Sequence, residues 1–156
     1  MPPLPALRHR QDGVTLAELM AALAILMVLV AIAIPTFFGA ANQARDTKAQ
    51  AALRNALGPL KTINIESPDA VGLESLIESI SPGVSFDPAG VAGIKLERSL
   101  DGAVCMWRVS ESGVVYGVWE PPGSNGESLF GEFAALPATC PETVDALGQG
   151  YTINGW

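Results

Sequence analysis

Histidine is almost missing: His9 is the one example in 156 residues, and it precedes everything that looks built to fold. Past that point no imidazole is on hand as a general base, a metal ligand or a member of a Ser–His–Asp or Cys–His set. Charge is thin as well, at 16% of residues, and one sign dominates: 9 Lys and Arg stand against 16 Asp and Glu, a net charge of −7. Tracking a phosphate backbone rests on clustered Lys and Arg, so nucleic-acid binding is not indicated as a main task. No glycine-rich phosphate loop stands between a strand and a helix, and no D-x-[DN]-x-[DN]-G calcium loop occurs. The chain therefore carries no marked cofactor or metal site, and no catalytic set that would make it an enzyme.

What the sequence has in abundance lies in one stretch, Gly13 to Pro35, GVTLAELMAALAILMVLVAIAIP. Every side chain from Leu19 to Ile34 is apolar. At 1.5 Å per residue this run spans roughly 24 Å, and with Val14–Glu18 and Thr36–Phe38 it is long enough to cross a hydrocarbon core of about 30 Å. Glu18 sits at its start. A charge in lipid costs at least about 2.5–3.5 kcal/mol, so an acid there is a functional suspect. The plainer reading is a carboxylate favoured by a helix N-terminus, worth about 0.3–1 kcal/mol when exposed, which does not offset placing it against lipid.

Ahead of the run, Met1–Asp12 carries Arg8, His9 and Arg10 and leads into Gly13. Its positive charge favours the cytoplasmic side and sends the rest of the chain outward. If the chain is cut after Gly13, Val14 becomes a cationic N-terminus one helical turn from Glu18, and the acid gains a partner. The rival, a secretory signal peptide, needs an A-x-A-like site after the run. Phe37-Phe38-Gly39-Ala40 is a poor one.

The pattern G-[apolar]-T-L-x-E-L, followed by an apolar run closing in A-I-P, resembles the processing and assembly signature of type IV pilins and pseudopilins. The resemblance covers about 45 residues, Arg10 to roughly Asn55. Val14 departs from the phenylalanine usual in that family, and Ala17 replaces a larger aliphatic. The resemblance implies cleavage between Gly13 and Val14 by a prepilin peptidase, with Val14 as the N-methylation site and Glu18 as the assembly residue. It also implies a homo-oligomeric helical filament built by an inner-membrane assembly platform and an ATPase motor. The subunit would wait in membrane lipid as a single-span protein before joining an extracellular pilus. A pseudopilin of a type II secretion system is the alternative inside the family. An anchored extracytoplasmic binding domain that never polymerises is the alternative outside it. Calcium sites occur in some pseudopilins; nothing in these residues points to one.

Domain organisation then reads as a leader over residues 1–13, a transmembrane or filament-core helix over 14–38, and a head over 39–156. Removing the leader leaves a side-chain charge of −8, and one small globular domain is all that remains to be built. The spine helix is expected to run to Leu57, its stripe of Ala49, Leu53, Ala56, Leu57 and Leu60 facing a core, with Gly58-Pro59 as the stop. Pro35 and Gly39 mark a kink or a locally melted stretch. After an extended piece at Lys61–Glu66, Ser67 or Asp69 is expected to cap a short helix whose Leu73, Leu76, Ile77 and Ile80 share a face.

From residue 83 the pattern changes to period two. Strands are expected at Ile94–Glu97, Val104–Val109 and Val114–Trp119, the last two joined by Ser110-Glu111-Ser112-Gly113, with Asp101-Gly102 as a turn. Glu120–Gly131 reads as a Pro/Gly/Ser-rich surface loop, and Tyr151–Trp156 as a final short strand. The fold class is α+β, a pilin fold with an antiparallel sheet of three or four strands packed on the C-terminal half of the spine.

Cys105 and Cys140 read as one disulfide in an exported domain, or as two buried thiols. Trp107, Tyr116, Trp119, Tyr151 and Trp156 form either a stacking surface for sugar or DNA or, on their alternation along strands, sheet packing. Lys95, Arg98 and Arg108 form either a small basic patch or a solvated face.

Overall fold

The computed structural model describes residues 13–67, 69–124, 126–143, 145–153 and 155–156. The leader Met1–Asp12 and Pro68 lie outside these described residues. The chain forms two compact units, residues 1–39 and 40–156. In the first, the described part is the start of helix α1, which runs Leu16–Glu66 and is long and apolar enough to cross a membrane. None of the apolar side chains from Leu16 to Phe38 is buried.

Helix α1 is helical through Pro35 to Gly39, so that stretch is not melted. Proline removes one donor, which for Pro35 leaves the Ala31 carbonyl without its helical partner. The Thr36 hydroxyl donates to the Ala33 carbonyl at 2.8 Å in the same turn.

In the second unit α1 also runs through Gly58-Pro59, so the expected stop at Leu57 and the extended piece at Lys61–Glu66 are both corrected. A proline in a helix interior costs about 3 kcal/mol. Against this, Leu60 and Ile63 bury their side chains in the core just beyond it, each worth about 1.5–3 kcal/mol. The carbonyl that Pro59 leaves without a donor belongs to Asn55, which is exposed and open to water. Tertiary packing outweighs the local breaker.

Helix α2 spans Leu73–Ile80 and buries Leu73 and Ile77, while Leu76 and Ile80 stay exposed. Its N-cap is Gly72 in the left-handed region at φ 73°, with no side-chain cap. The expected caps Ser67 and Asp69 lie too far upstream. The sheet is wholly antiparallel and takes its strands in chain order: β1 Lys95–Arg98, β2 Val104–Val109, β3 Val115–Glu120, β4 Leu129–Phe133 and β5 Tyr151–Thr152. Five strands exceed the expected three or four because β4 forms inside what reads as a loop. Residues 129–131 pair with β3 through Trp119↔Leu129, Val118↔Phe130 and Gly117↔Gly131.

Both faces of the sheet are buried, which explains why β2 and β3 lack the polar alternation of a half-solvated sheet. Val104, Met106, Tyr116 and Val118 pack on Ala49, Leu53, Ala56, Leu60 and Ile63 of α1 and on Leu73 and Ile77 of α2. Cys105, Trp107, Val115 and Trp119 point the other way, into a second core closed by Leu129, Cys140, Ala146 and Tyr151. The segment after β4 forms that second lid. A disulfide joins Cys140 on it to Cys105 on β2, with Cα atoms 5.5 Å apart. The buried Trp107 indole N–H donates to the Tyr151 hydroxyl at 2.7 Å, and the Trp119 indole N–H donates to the Pro141 carbonyl at 3.0 Å.

The N-terminal apolar helix as candidate functional site

Gly13 and Val14 precede the first turn of α1 and are exposed, with open space around the Gly13 Cα where a side chain would stand. A bond in such a position is reachable by a protease. Thr15 is the N-cap residue, since the helix begins at Leu16. Its hydroxyl accepts from the Glu18 N–H at 3.2 Å, while its own N–H and hydroxyl donate to Glu18 Oε2 at 2.9 and 2.8 Å. This is a reciprocal capping box, in which each partner satisfies a donor that the first helical turn leaves free. Glu18 thus has a partner within its own chain without any new N-terminus. Among the described residues no donor reaches its Oε1.

Thr15 was legible in the sequence as the start of T-x-x-E before an apolar run, a recognised helix-start pattern. Attention to the acid as a lone charge in lipid hides it. Past Glu18 the helix offers no polar side chain until Thr36, so the start of α1 presents one acid, held by the Thr15 hydroxyl just before it, and then a fully apolar shaft.

The aromatic and basic side chains considered for ligand contact lie in the head unit. Trp107, Tyr116, Trp119 and Tyr151 are all buried, so four of the five aromatics considered for stacking are core. The fifth, Trp156, is held by its neighbours. Its ring meets Tyr116 and Phe130 edge-on at 5.8 and 4.9 Å, the Arg54 guanidinium lies 5.5 Å from its centroid, and its N–H donates to the Gly131 carbonyl at 3.0 Å. Lys95 is likewise committed: it pairs with Glu97 at 3.2 Å, donates to the Pro137 and Ala138 carbonyls, and lies 4.9 Å from the Trp107 ring centroid. Among the described residues no group of three or more His, Cys, Asp or Glu side chains converges as metal ligands would.

A buried polar centre that the strand pattern conceals lies at the end of β3. Glu120 and Asn64 are fully buried. Glu120 Oε2 accepts from the Ser128 hydroxyl at 2.6 Å and faces the Lys61 ammonium at 3.8 Å, while the Asn64 amide donates to the Pro121 carbonyl at 3.0 Å. The group ties the last turns of α1 to the connection between β3 and β4.

No curated protein and no solved structure matches the chain. A family model does: residues 8–34 match the prokaryotic N-terminal methylation motif. That stretch holds Gly13, Val14, the Thr15–Glu18 capping box and the apolar shaft, and its match is the prepilin signature shared by type IV pilins and pseudopilins. The N-terminal segment of the chain thus carries a prepilin-type processing signature, and the head unit lies outside the match.

Proposed function

We propose that this protein is a structural subunit that polymerises through its N-terminal helix into a cell-surface filament. Cleavage after Gly13 removes residues 1–13 and frees the Val14 amine, which is the N-methylation site. Residues 14–38 then hold the subunit in the bilayer as a single span, with residues 39–156 as the extracytoplasmic head. The observation that carries this reading is the shaft from Leu19 to Ile34, which is wholly apolar, is exposed along its length and follows directly on a carboxylate.

Such a surface is covered either by lipid or by copies of itself. In a helix bundle the Val14 amine of one subunit neutralises the Glu18 carboxylate of another, because neither charge stays unpaired in an apolar medium. The Thr15 bonds hold that carboxylate in place until the amine arrives. Lipid is as apolar as the bundle, so leaving the membrane gains little hydrophobic free energy, and an external ATPase motor with an assembly platform drives extraction. Pro35 and Gly39 are where the shaft yields when the subunit is drawn into the filament.

The test is Glu18→Ala, read by mass spectrometry of the N-terminus and by electron microscopy of sheared surface material. The expected result is insertion and cleavage as before, with a chain beginning at Val14, and loss of filaments. Unchanged behaviour, with no filament formed by either protein, would instead mark an anchored head that does not polymerise. Filaments that never reach the cell surface would assign the subunit to a secretion-system pseudopilus.

A further inference from the structure

The segment that lids the far face of the sheet is gripped beside its cysteine. Three residues after Cys140, the Thr143 N–H and hydroxyl donate to Asp101 Oδ2 at 2.7 and 2.5 Å. The other oxygen, Oδ1, accepts from the Ala103 N–H at 3.2 Å and from the Ser99 hydroxyl. The carboxylate is therefore fixed on the turn between β1 and β2, four residues before Cys105. It holds one cysteine's strand with one oxygen and the other cysteine's segment with the other. A local turn role accounts for the Oδ1 bonds alone. It leaves unexplained why Oδ2 reaches a residue 42 positions away. The Trp119 indole holds Pro141, next to Cys140, from inside the core. Neither grip passes through the sulfur atoms.

We infer that Asp101 is a positioning residue for closure of the Cys105–Cys140 bond, holding the two thiols together before oxidation joins them. In the reduced chain, holding Thr143 on the β1–β2 turn confines Cys140 near Cys105 and raises its effective concentration. Asp101 touches neither sulfur and acts through Thr143.

With oxidised glutathione as the oxidant, one protein thiolate attacks a glutathione sulfur, forms a mixed disulfide and expels one glutathione thiolate. The second protein thiolate then attacks the protein sulfur of that mixed disulfide and expels the other. The two protein thiol protons pass through solvent to the two expelled glutathione thiolates, so the protein loses two electrons and one glutathione disulfide becomes two thiols. Asp101 changes how often the second thiolate meets its target.

The experiment equilibrates the full-length chain, in detergent micelles at neutral pH, with reduced and oxidised glutathione. The oxidised fraction is read by alkylation and mass spectrometry. Asp101→Asn is expected to lower the effective concentration of the thiol pair about tenfold, since it removes charge from contacts of about 1 kcal/mol each. Thr143→Val keeps the N–H and loses the hydroxyl, so a smaller fall, about threefold, is expected. Ile77→Val weakens the core on the opposite face of the sheet from both cysteines and should leave the value unchanged. Wild-type values in Asp101→Asn or Thr143→Val would overturn the inference. So would an equal fall in Ile77→Val, because the equilibrium would then report only general stability.

Discussion

Gly117 on β3 stands opposite Gly131 on β4, and the rings of Trp107 and Phe133 fill the space that their missing side chains leave. A Cβ on Gly117 would lie 2.7 Å from Trp107 Cδ1 and 2.9 Å from Phe133 Cε2. One on Gly131 would lie 2.6 Å from Phe133 Cζ. Glycine weakens a strand through its entropy, yet this pair makes room for two rings on the lidded face. Gly117→Ala is therefore expected to destabilise the head by about 1–3 kcal/mol, the usual cost of overpacking a closed core. Urea unfolding followed by tryptophan fluorescence measures it. A stabilised variant would show that the two rings yield freely.

Glu120 and Lys61 carry a second expectation. The carboxylate is fully buried and the lysine partly exposed, so the pair is a buried acid met by a half-solvated cation. Removing only the cation leaves a buried charge with the Ser128 hydroxyl as its remaining donor. Loss of one partner of a fully buried pair costs about 3–5 kcal/mol. Solvent screening of Lys61 brings the expected cost of Lys61→Met down to about 1–2 kcal/mol. Glu120→Gln with Lys61→Met should recover part of that loss, and a double-mutant cycle from urea midpoints measures the coupling. Zero coupling would mean that Ser128 alone holds the acid.

Acid sensitivity follows from two loop carboxylates. Burial pushes the Asp101 carboxyl up, and the hydrogen bonds from Ser99, Thr143 and Ala103 outweigh it, holding the group well below the usual range. The Ala92 N–H first, then the N–H groups of Ala89, Val91 and Gly93, lower Asp87 against a raising effect of burial. A carboxyl that titrates lower when folded takes up its proton first in the unfolded chain. Its stabilisation is complete above the unfolded value near about pH 3.9 and drains away as pH falls through the folded value. Stability is thus expected to be flat near neutrality and to fall below about pH 4. Asp101→Asn should flatten that fall, as read by denaturant unfolding across the acid range. An unchanged slope would remove Asp101 as a cause.

The apolar helix and the period-two strands were legible because their signals are local. Sixteen consecutive apolar residues and the Gly13, Thr15 and Glu18 spacing need no tertiary partner to be read, and β2 was legible at both of its ends. Where the reading failed, a distant contact overrode a local preference. Gly58-Pro59 has the composition of a helix stop, but Leu60 and Ile63 have a core to fill beyond it. Leu129–Phe133 lies next to prolines, glycines and serines, and becomes a strand because β3 offers it a ladder.

By itself the sequence determined the apolar shaft, its acid, and the α+β order of one helix spine followed by strands. These follow from composition and spacing within one or two turns. Only the tertiary structure decided that both faces of the sheet are covered, that Glu120 is buried with Lys61 beside it, and that Asp101 grips Thr143. Each of those depends on bringing together residues dozens of positions apart, and packing, not local preference, determines which ones meet.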